Sequence, residues 1–528
     1  METNTLYYGD NLEILRKYIP DNSIDLIYLD PPFNSNATYN ILFKEPTGEP
    51  SQAQITAFDD TWHWGSESEK EFQEIIMHAP VNVAELITAF RNFIHQNDMM
   101  AYLVMICIRL LELKRVLKAT GSIYLHCDPT ASHYLKILMD TVFGIQNFRN
   151  EIAWKRTSAH NDPGRYGANI DNILFYTKSN NWTWNQIYRL HDQQYIARFR
   201  HKDPDGRLWS DYDLTAKGLS GGGYEYEYKG MKSLWRCPLE TMQKLDAEGK
   251  LHFTKTGGIR LKRYLDENLG VVLQCLWEDI PPINSQARER LGYPTQKPEA
   301  LLERILKASS NEGNIVLDPF CGCGTALIAA QKLNRTWIGI DITHLAIGVM
   351  KWRLETIFPG IKYKVIGEPK DLSSAVELAK QNKYQFQWWA VSLIGGQPYG
   401  DKKKGADTGI DGYLYFMDEK DKVKKAIISV KGGGTSVKDI RDLGHVIDRE
   451  KAEIGIFLTL EQPTRPMETE AVTKGFYHSP LGKDYPKLQI LTIEELINGD
   501  KPDMPPWIAP IQAPPKHKEE KAKTAKLL

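Results

Sequence analysis

The chain has 528 residues, 42% of them hydrophobic and 25% charged, with a formal net charge of -1. That length holds about three domains at the usual ~150 residues each. The charge balance excludes a nucleic-acid surface built from a global excess of Lys and Arg, so any such surface must be a local patch. The six cysteines form no disulfide scaffold in a chain this long, and a reducing compartment is expected. Met1 to Asp10 lacks a signal peptide's basic and apolar regions. The longest apolar run, Met99 to Ile108, is too short to span a bilayer and is broken by Arg109. A cytoplasmic protein with no membrane partner is expected.

In chain order, Leu6-Tyr7-Tyr8 predicts a short strand ending in Gly9-Asp10. Asn11 to Lys17 predicts a helix with Leu12, Leu15 and Ile19 on one face, stopped by Pro20. The run Ile24-Asp25-Leu26-Ile27-Tyr28-Leu29 reads as a buried strand and delivers Asp30-Pro31-Pro32-Phe33 at its C-terminal end. The prolines fix φ and carry no N–H, so their carbonyls can face a ligand as bare acceptors. Asp30 adds an acceptor and Phe33 a flat apolar face. Such a pocket suits a planar group whose –NH2 has two protons to donate, as in a flipped-out nucleobase with an exocyclic amine. Asp-Pro-Pro alone also serves ordinary turns, so the motif gains its meaning from a partner far downstream.

Asn34 to Ser68 has mixed polarity with several aromatics, including Trp62 and Trp64, and reads as an ordered loop over the pocket. Ala84 to Lys118 predicts two helices divided near Asn97, and Gly121 to Cys127 a buried strand. Ser132 to Phe143 is an amphipathic helix, and Asn150 to Trp154 and Asn172 to Thr177 are strands. From Lys178 to about Ser285 regular periodicity is hard to find, and Ser220 to Gly223 reads as a flexible turn. Tyr195 to Lys202 interleaves aromatics with bases: a nucleic-acid contact surface, or an irregular insertion with its own small core.

Regular α/β texture returns at Pro298. Glu299 to Ser309 is a helix, Asn314 to Leu317 a strand into Asp318, and Ala326 to Leu333 a helix. Thr336 to Ile340 is a strand into Asp341, Leu345 to Phe358 a helix, and Tyr363 to Ile366 a last short strand. Asp318-Pro319-Phe320-Cys321-Gly322-Cys323-Gly324-Thr325, with an acid ending the next strand, is the first half of a nucleotide-binding βαβ unit. Gly322 and Gly324 allow close backbone approach, and Asp341 is placed to bond ribose hydroxyls. Leu327 stands where a dinucleotide fingerprint needs a third glycine, and no Gly-Lys-Ser/Thr follows. Cys321 and Cys323 are too close to chelate one zinc well and read as small loop residues.

Asp318 to Thr325 resembles the S-adenosylmethionine-binding motif of DNA amino-methyltransferases, and Asp30 to Phe33 resembles their catalytic motif. Tyr293-Pro294-Thr295-Gln296-Lys297-Pro298 resembles the segment before the cofactor strand, and Tyr8-Gly9-Asp10-Asn11 the N-terminal opening. Asn150 to Thr177 resembles the strands flanking the target-recognition insertion. The resemblance covers about residues 5 to 358, and its motif order is that of the permuted beta class. It implies an α/β fold: a Rossmann-like methyltransferase sheet from 1–177 and 286–366, with 178–285 as the target-recognition region. It implies Asp30, Pro31, Pro32 and Phe33 as catalytic. S-adenosylmethionine would lie on Asp10, Thr295, Lys297, Asp318, Phe320, Gly322, Gly324, Thr325 and Asp341. Double-stranded DNA is the implied partner, and a homodimer is compatible with it. The family uses Asp-Pro-Pro for N6-adenine and N4-cytosine alike. Adenine N6, the commoner case, is the expected target, with cytosine N4 or a non-DNA amine as alternatives.

A second α/β unit is expected over 371–498, followed by a disordered tail over 502–528, Pro-rich and then Lys-rich. Gly405 to Gly412 leads into a strand, Tyr413 to Phe416, a polar turn, Asp418 to Lys422, and a second strand, Ala426 to Lys431. This hairpin would bring Asp411 near Lys431. The arrangement resembles the restriction-endonuclease-like fold of the Mrr type. That resemblance implies Asp411 as a ligand of Mg2+ and Lys431 as the residue that orients the attacking water, giving restriction and modification in one chain. Ser429 departs from the pattern, since most such nucleases carry Glu there, or Gln in the Mrr group. Glu377 is a further acid by analogy. The alternative is a degenerate nuclease fold kept for DNA binding.

Overall fold

Ile24–Leu29 is a strand at the centre of a nine-stranded sheet. The structure, a computed structural model, describes residues 2–505 except 33–37, 45–49, 60–63, 159–163, 165, 190–192, 217–221, 268–269, 285–286, 288, 292, 294, 399–408 and 420–421. The sheet runs in the order Leu276–Trp277, Phe148–Lys155, Ile170–Thr177, Leu117–Cys127, Ile24–Leu29, Ile315–Asp318, Thr336–Asp341, Thr5–Tyr8, Lys364–Ile366. Every neighbour pair is parallel except the two made by Ile170–Thr177. Val316 pairs with Leu26 and Leu317 with Ile27. Asp30 and Asp318 therefore leave adjacent parallel strands at the same edge, the C-terminal edge where open α/β sheets bind ligands.

The apolar run broken by Arg109 lies in the helix Asp98–Val116, buried at every residue from Met100 to Leu110. A helix apolar all round belongs inside a core, and this one packs in the main core with Leu15, Ile27, Leu125, Leu135 and Tyr176. Asn97 caps it by accepting the Met100 N–H at 2.9 Å. No helix among the described residues is long and apolar enough to cross a membrane.

Two expectations need correction. Within 34–68, expected as a loop, Thr38–Lys44 and Pro50–Asp59 pair as an antiparallel hairpin and a helix starts at Ser66. Tyr, Ile, Phe and Thr favour a pleated strand, but the polar residues between them hide the pattern. Residues 186–274 form a compact unit of their own, shorter than 178–285 and regular inside. Its four-stranded antiparallel sheet is Leu251–Phe253, Ile259–Tyr264, Leu208–Asp213 and His201–Lys202. A hairpin, Tyr224–Tyr228 with Met231–Trp235, and a helix, Leu239–Ala247, complete it around Leu214, Trp235 and Met242. Strands of two to six residues are too short to show alternation. Tyr195 to Lys202 divides between a short helix, Gln193–Ile196, and the strand His201–Lys202, and Ser220 and Gly221 lie outside the described residues.

Beyond Asp371 come the helices Leu372–Gln381 and Lys383–Leu393 and a five-stranded sheet. Its order is Gln397–Pro398, Gly412–Glu419, Lys422–Lys431, Ile454–Thr459, Leu488–Thr492, with the last two pairings parallel. Apolar clusters around Trp389 and around Ile447 hold it. Trp388 is buried against Tyr293, Cys323 and Leu345, so this region shares a small core with the loop after Asp318. From residue 506 the expected tail lies outside the described residues.

Candidate active site

A cavity of about 220 Å³ opens where the Asp30 and Asp318 strands end. Of the expected residues, Asp10, Asp30, Pro31, Pro32, Thr295, Lys297, Asp318, Phe320, Gly322, Thr325 and Asp341 line it. Phe33 lies outside the described residues. Gly324 stands behind the wall: it starts the helix Thr325–Lys332 at φ 76°, and a Cβ there would come 2.7 Å from Met350 Cγ. Its place is the close approach of two helices, and it does not face the cavity.

The loop is shaped by its acids. Asp341 Oδ2 accepts the Gly322 N–H at 2.9 Å, and Oδ1 accepts the Thr343 N–H and hydroxyl, each at 2.9 Å. Asp318 Oδ1 accepts the Phe320 N–H at 3.1 Å. Burial pushes both carboxyls above the usual range, Asp318 well above it. Gly322 adopts φ 48°, and a Cβ there would meet Tyr293 at 3.3 Å. Cys321 Sγ donates to the Ile340 carbonyl at 3.1 Å and Cys323 Sγ lies 3.5 Å from Thr325 Oγ1. Burial raises both thiols, which keeps them neutral and unsuited to be nucleophiles.

Lys297 Nζ donates to Asp30 Oδ2 at 2.5 Å. Asp30 Oδ1 is buried and has no hydrogen-bond partner among the described residues. A buried carboxylate oxygen left bare costs free energy unless a donor from outside meets it. Asp10 accepts the Leu12 N–H at 2.8 Å as the helix cap of Asn11–Tyr18, and its other oxygen takes Arg109 Nη2 at 2.8 Å.

Sequence reasoning missed Arg109 as a site residue. Arg109 also donates to Glu71 at 2.9 Å and to Asn11 Oδ1 at 2.6 Å, and Asn11 Nδ2 donates to the Pro319 carbonyl at 2.9 Å. One guanidinium thus ties the apolar helix to the start of the loop after Asp318. The available signal was a lone Arg in an apolar helix, which needs partners.

Among the described residues, which leave out 399–408 and 420–421, the C-terminal candidates do not come together as a metal site. Asp411 Oδ2 accepts the Val430 N–H at 2.6 Å, with Ser429 Oγ at 3.5 Å. Lys431 Nζ lies 3.5 Å from Asp439 Oδ1. Glu377 accepts from Gln381 on its own helix at 2.9 Å. Among the described residues no group of three or more His, Cys, Asp or Glu could hold a metal ion. Mg2+ prefers octahedral oxygen ligands, and this donor set does not fit it.

Residues 384–498 match a family described as NACHT-associated inactive Restriction Endonuclease 1. The type II methyltransferase M.EcaI of Enterobacter cloacae is 35% identical over 344 residues, 64% of this chain and 66% of that protein. The Mod subunit of the type III restriction-modification enzyme StyLTI of Salmonella typhimurium strain LT2 is 28% identical over 355 residues, 63% of this chain and 50% of that one. The chain thus spans about two thirds and about half of these two relatives. The solved PvuII DNA methyltransferase (cytosine-N4-specific) is 12% identical with a TM-score of 0.35, covering 69% of this chain and 96% of its own. Residues 24–349, which carry the Asp30 strand, the Asp318 loop and the Asp341 strand, match the family model described as DNA methylase, and the chain belongs to that family.

Proposed function

We propose that this chain transfers a methyl group from S-adenosylmethionine to an exocyclic amine of a DNA base, adenine N6, as the modification activity of a restriction-modification system. The observation that carries this reading is the bare, buried Oδ1 of Asp30, beside Pro31 in the cavity that the Asp318 loop also lines. An exocyclic amine is a weak nucleophile because its lone pair is delocalised into the ring. Asp30 Oδ1 and the Pro31 carbonyl hold its two N–H protons and so turn the lone pair out of conjugation. Bound S-adenosylmethionine supplies an electrophilic sulfonium methyl. The positive-φ turn at Gly322 and the acids Asp318 and Asp341 fit such a ligand, with Asp341 towards the ribose hydroxyls. The protein's contribution is orientation and electrostatics. Residues 186–274 serve as the target-recognition region. Support comes from Tyr212, whose half-exposed ring has the Arg263 guanidinium 3.7 Å from its centroid, a flat cationic face suited to DNA.

Asp341→Ala is expected to weaken S-adenosylmethionine binding by about 1–3 kcal/mol, the usual cost of lost hydrogen bonds to a buried group. Calorimetry measures it, and unchanged affinity in a folded variant would move the cofactor elsewhere.

The C-terminal region is read as a nuclease-like fold that does not cut. Asp411 accepts a backbone N–H, and Lys431 lies beside Asp439. Methylated and unmethylated plasmids are expected to remain intact with the full chain and Mg2+. Cutting that disappears in Asp411→Ala would restore the nuclease reading.

A further inference from the structure

The Asp30 strand brings a second polar side chain to the cavity. Tyr28, two residues before Asp30, lines it and is 3% exposed. Its hydroxyl lies 2.9 Å from His126 Nδ1 on the neighbouring strand Leu117–Cys127. His126 Nε2 lies 3.1 Å from Asp171 Oδ2 on Ile170–Thr177. His126 and Asp171 are buried, and Trp154 stands edge-on to the imidazole. Three polar side chains in line across adjacent strands cost more to bury than apolar ones would.

The line has a direction. Burial pushes the Asp171 carboxyl up, but the His126 hydrogen bond and the nearby Lys297 and Arg156 charges outweigh it and hold it below the usual carboxylate range. Asp171 is then ionised and can only accept, so His126 Nε2 carries a proton. A neutral imidazole keeps Nδ1 as an acceptor, and the Tyr28 hydroxyl donates to it. Burial first, then the Asp30 and Asp318 charges, push the Tyr28 phenol well up, so it stays protonated. Tyr28 lines the cavity, and a hydroxyl that donates to His126 keeps lone pairs of its own.

We propose that Tyr28, His126 and Asp171 form a proton relay that carries away the proton released at the target amine. The relay rests on the methyl-transfer reading given above. As the amine nitrogen bonds the methyl carbon, the carbon–sulfur bond breaks and its electron pair stays on sulfur. The nitrogen then holds one proton too many. The proton held at the Pro31 carbonyl, an acceptor too weak to keep it, passes to the Tyr28 oxygen while the Tyr28 hydroxyl proton passes to His126 Nδ1. The resulting imidazolium is stabilised by Asp171. Tyr28 meets the substrate, and His126 and Asp171 are positioning residues that act through it.

The relay needs His126 Nδ1 as an acceptor, so transfer should slow in acid, where a second proton on the imidazole removes that acceptor. Among the described residues Tyr28 and Asp171 hydrogen-bond that imidazole, with Lys297 and Arg156 acting on it through Asp171. The test is single-turnover transfer of tritiated methyl to DNA across pH, with cofactor affinity measured by calorimetry on the same samples. Wild type should rise with pH to a plateau. Tyr28→Phe should be about a hundredfold slower at the plateau, the usual scale for a lost proton-transfer group, with a flat pH profile and unchanged cofactor affinity. Asp171→Asn should lose a similar factor, because the introduced amide donates to Nε2 and forces the other tautomer. It also carries the test if Tyr28→Phe fails to fold. A Tyr28→Phe enzyme that keeps the acid limb, whether fast or slow, overturns the relay, as does a rate loss matched by lost cofactor affinity. Absence of transfer by the wild-type chain would instead refute the methyl-transfer reading, and the relay with it.

Discussion

Asp30→Ala abolishes methyl transfer, by about 10³-fold or more, and leaves S-adenosylmethionine binding in place. The cavity offers the target amine one buried side-chain oxygen free of other partners among the described residues, Asp30 Oδ1. Alanine removes it, and no neighbouring residue can substitute: Asp318 is tied to Phe320, and Asp341 to Gly322 and Thr343. The hydrogen bonds that shape the Asp318 loop do not involve Asp30, so affinity should hold. Alanine also leaves the Lys297 ammonium without its carboxylate, and Asp30→Asn, of nearly the same volume, guards against a local collapse. Both variants should lose transfer. Tritiated methyl incorporation and calorimetry on one sample decide it, and retained transfer would remove Asp30 from the mechanism.

Arg109→Met costs about 3 kcal/mol of stability, near the low end for breaking a buried ion pair. The side chain is 8% exposed and holds Asp10 and Glu71, whose carboxylates would face each other uncompensated. Asp10 is 37% exposed, so solvent screens part of that repulsion and keeps the loss at the lower end. The loss should reach the site as well, because Asn11 would release one end of its bridge to Pro319. Urea unfolding measures the stability term. A variant within about 0.5 kcal/mol of wild type, the range of an ordinary surface change, would show that the network holds little.

The parts of the site legible in the sequence share one grammar: an apolar strand with an acid at its end, followed by Pro at Asp30 and Asp318 and by Ile342 at Asp341. Asp30, Asp318 and Asp341 all follow it, and all line the cavity. Several helices with one apolar face were legible, down to the division near Asn97, but Ser66–His78 was not, its start lying in the stretch expected as a loop. Arg109, Tyr28, His126 and Asp171 were not. Arg109 looked like a flaw in an apolar run, and Tyr28 and His126 sit in strands where any large residue would pass for core. Their meaning lies in partners on other strands and helices, and strand order is a tertiary fact that local pattern does not contain. Gly324 shows the converse: its motif position was legible, but its contact with Met350 gives it a packing role.

Methylation-sensitive sequencing of DNA from cells expressing the chain, beside cells expressing Asp30→Ala, tests the central claim most directly, because it reports base and site together. The expected result is N6-methyladenine at one recurring sequence in the first culture and its absence in the second. No modified base in either culture, or the same modification in both, would contradict it.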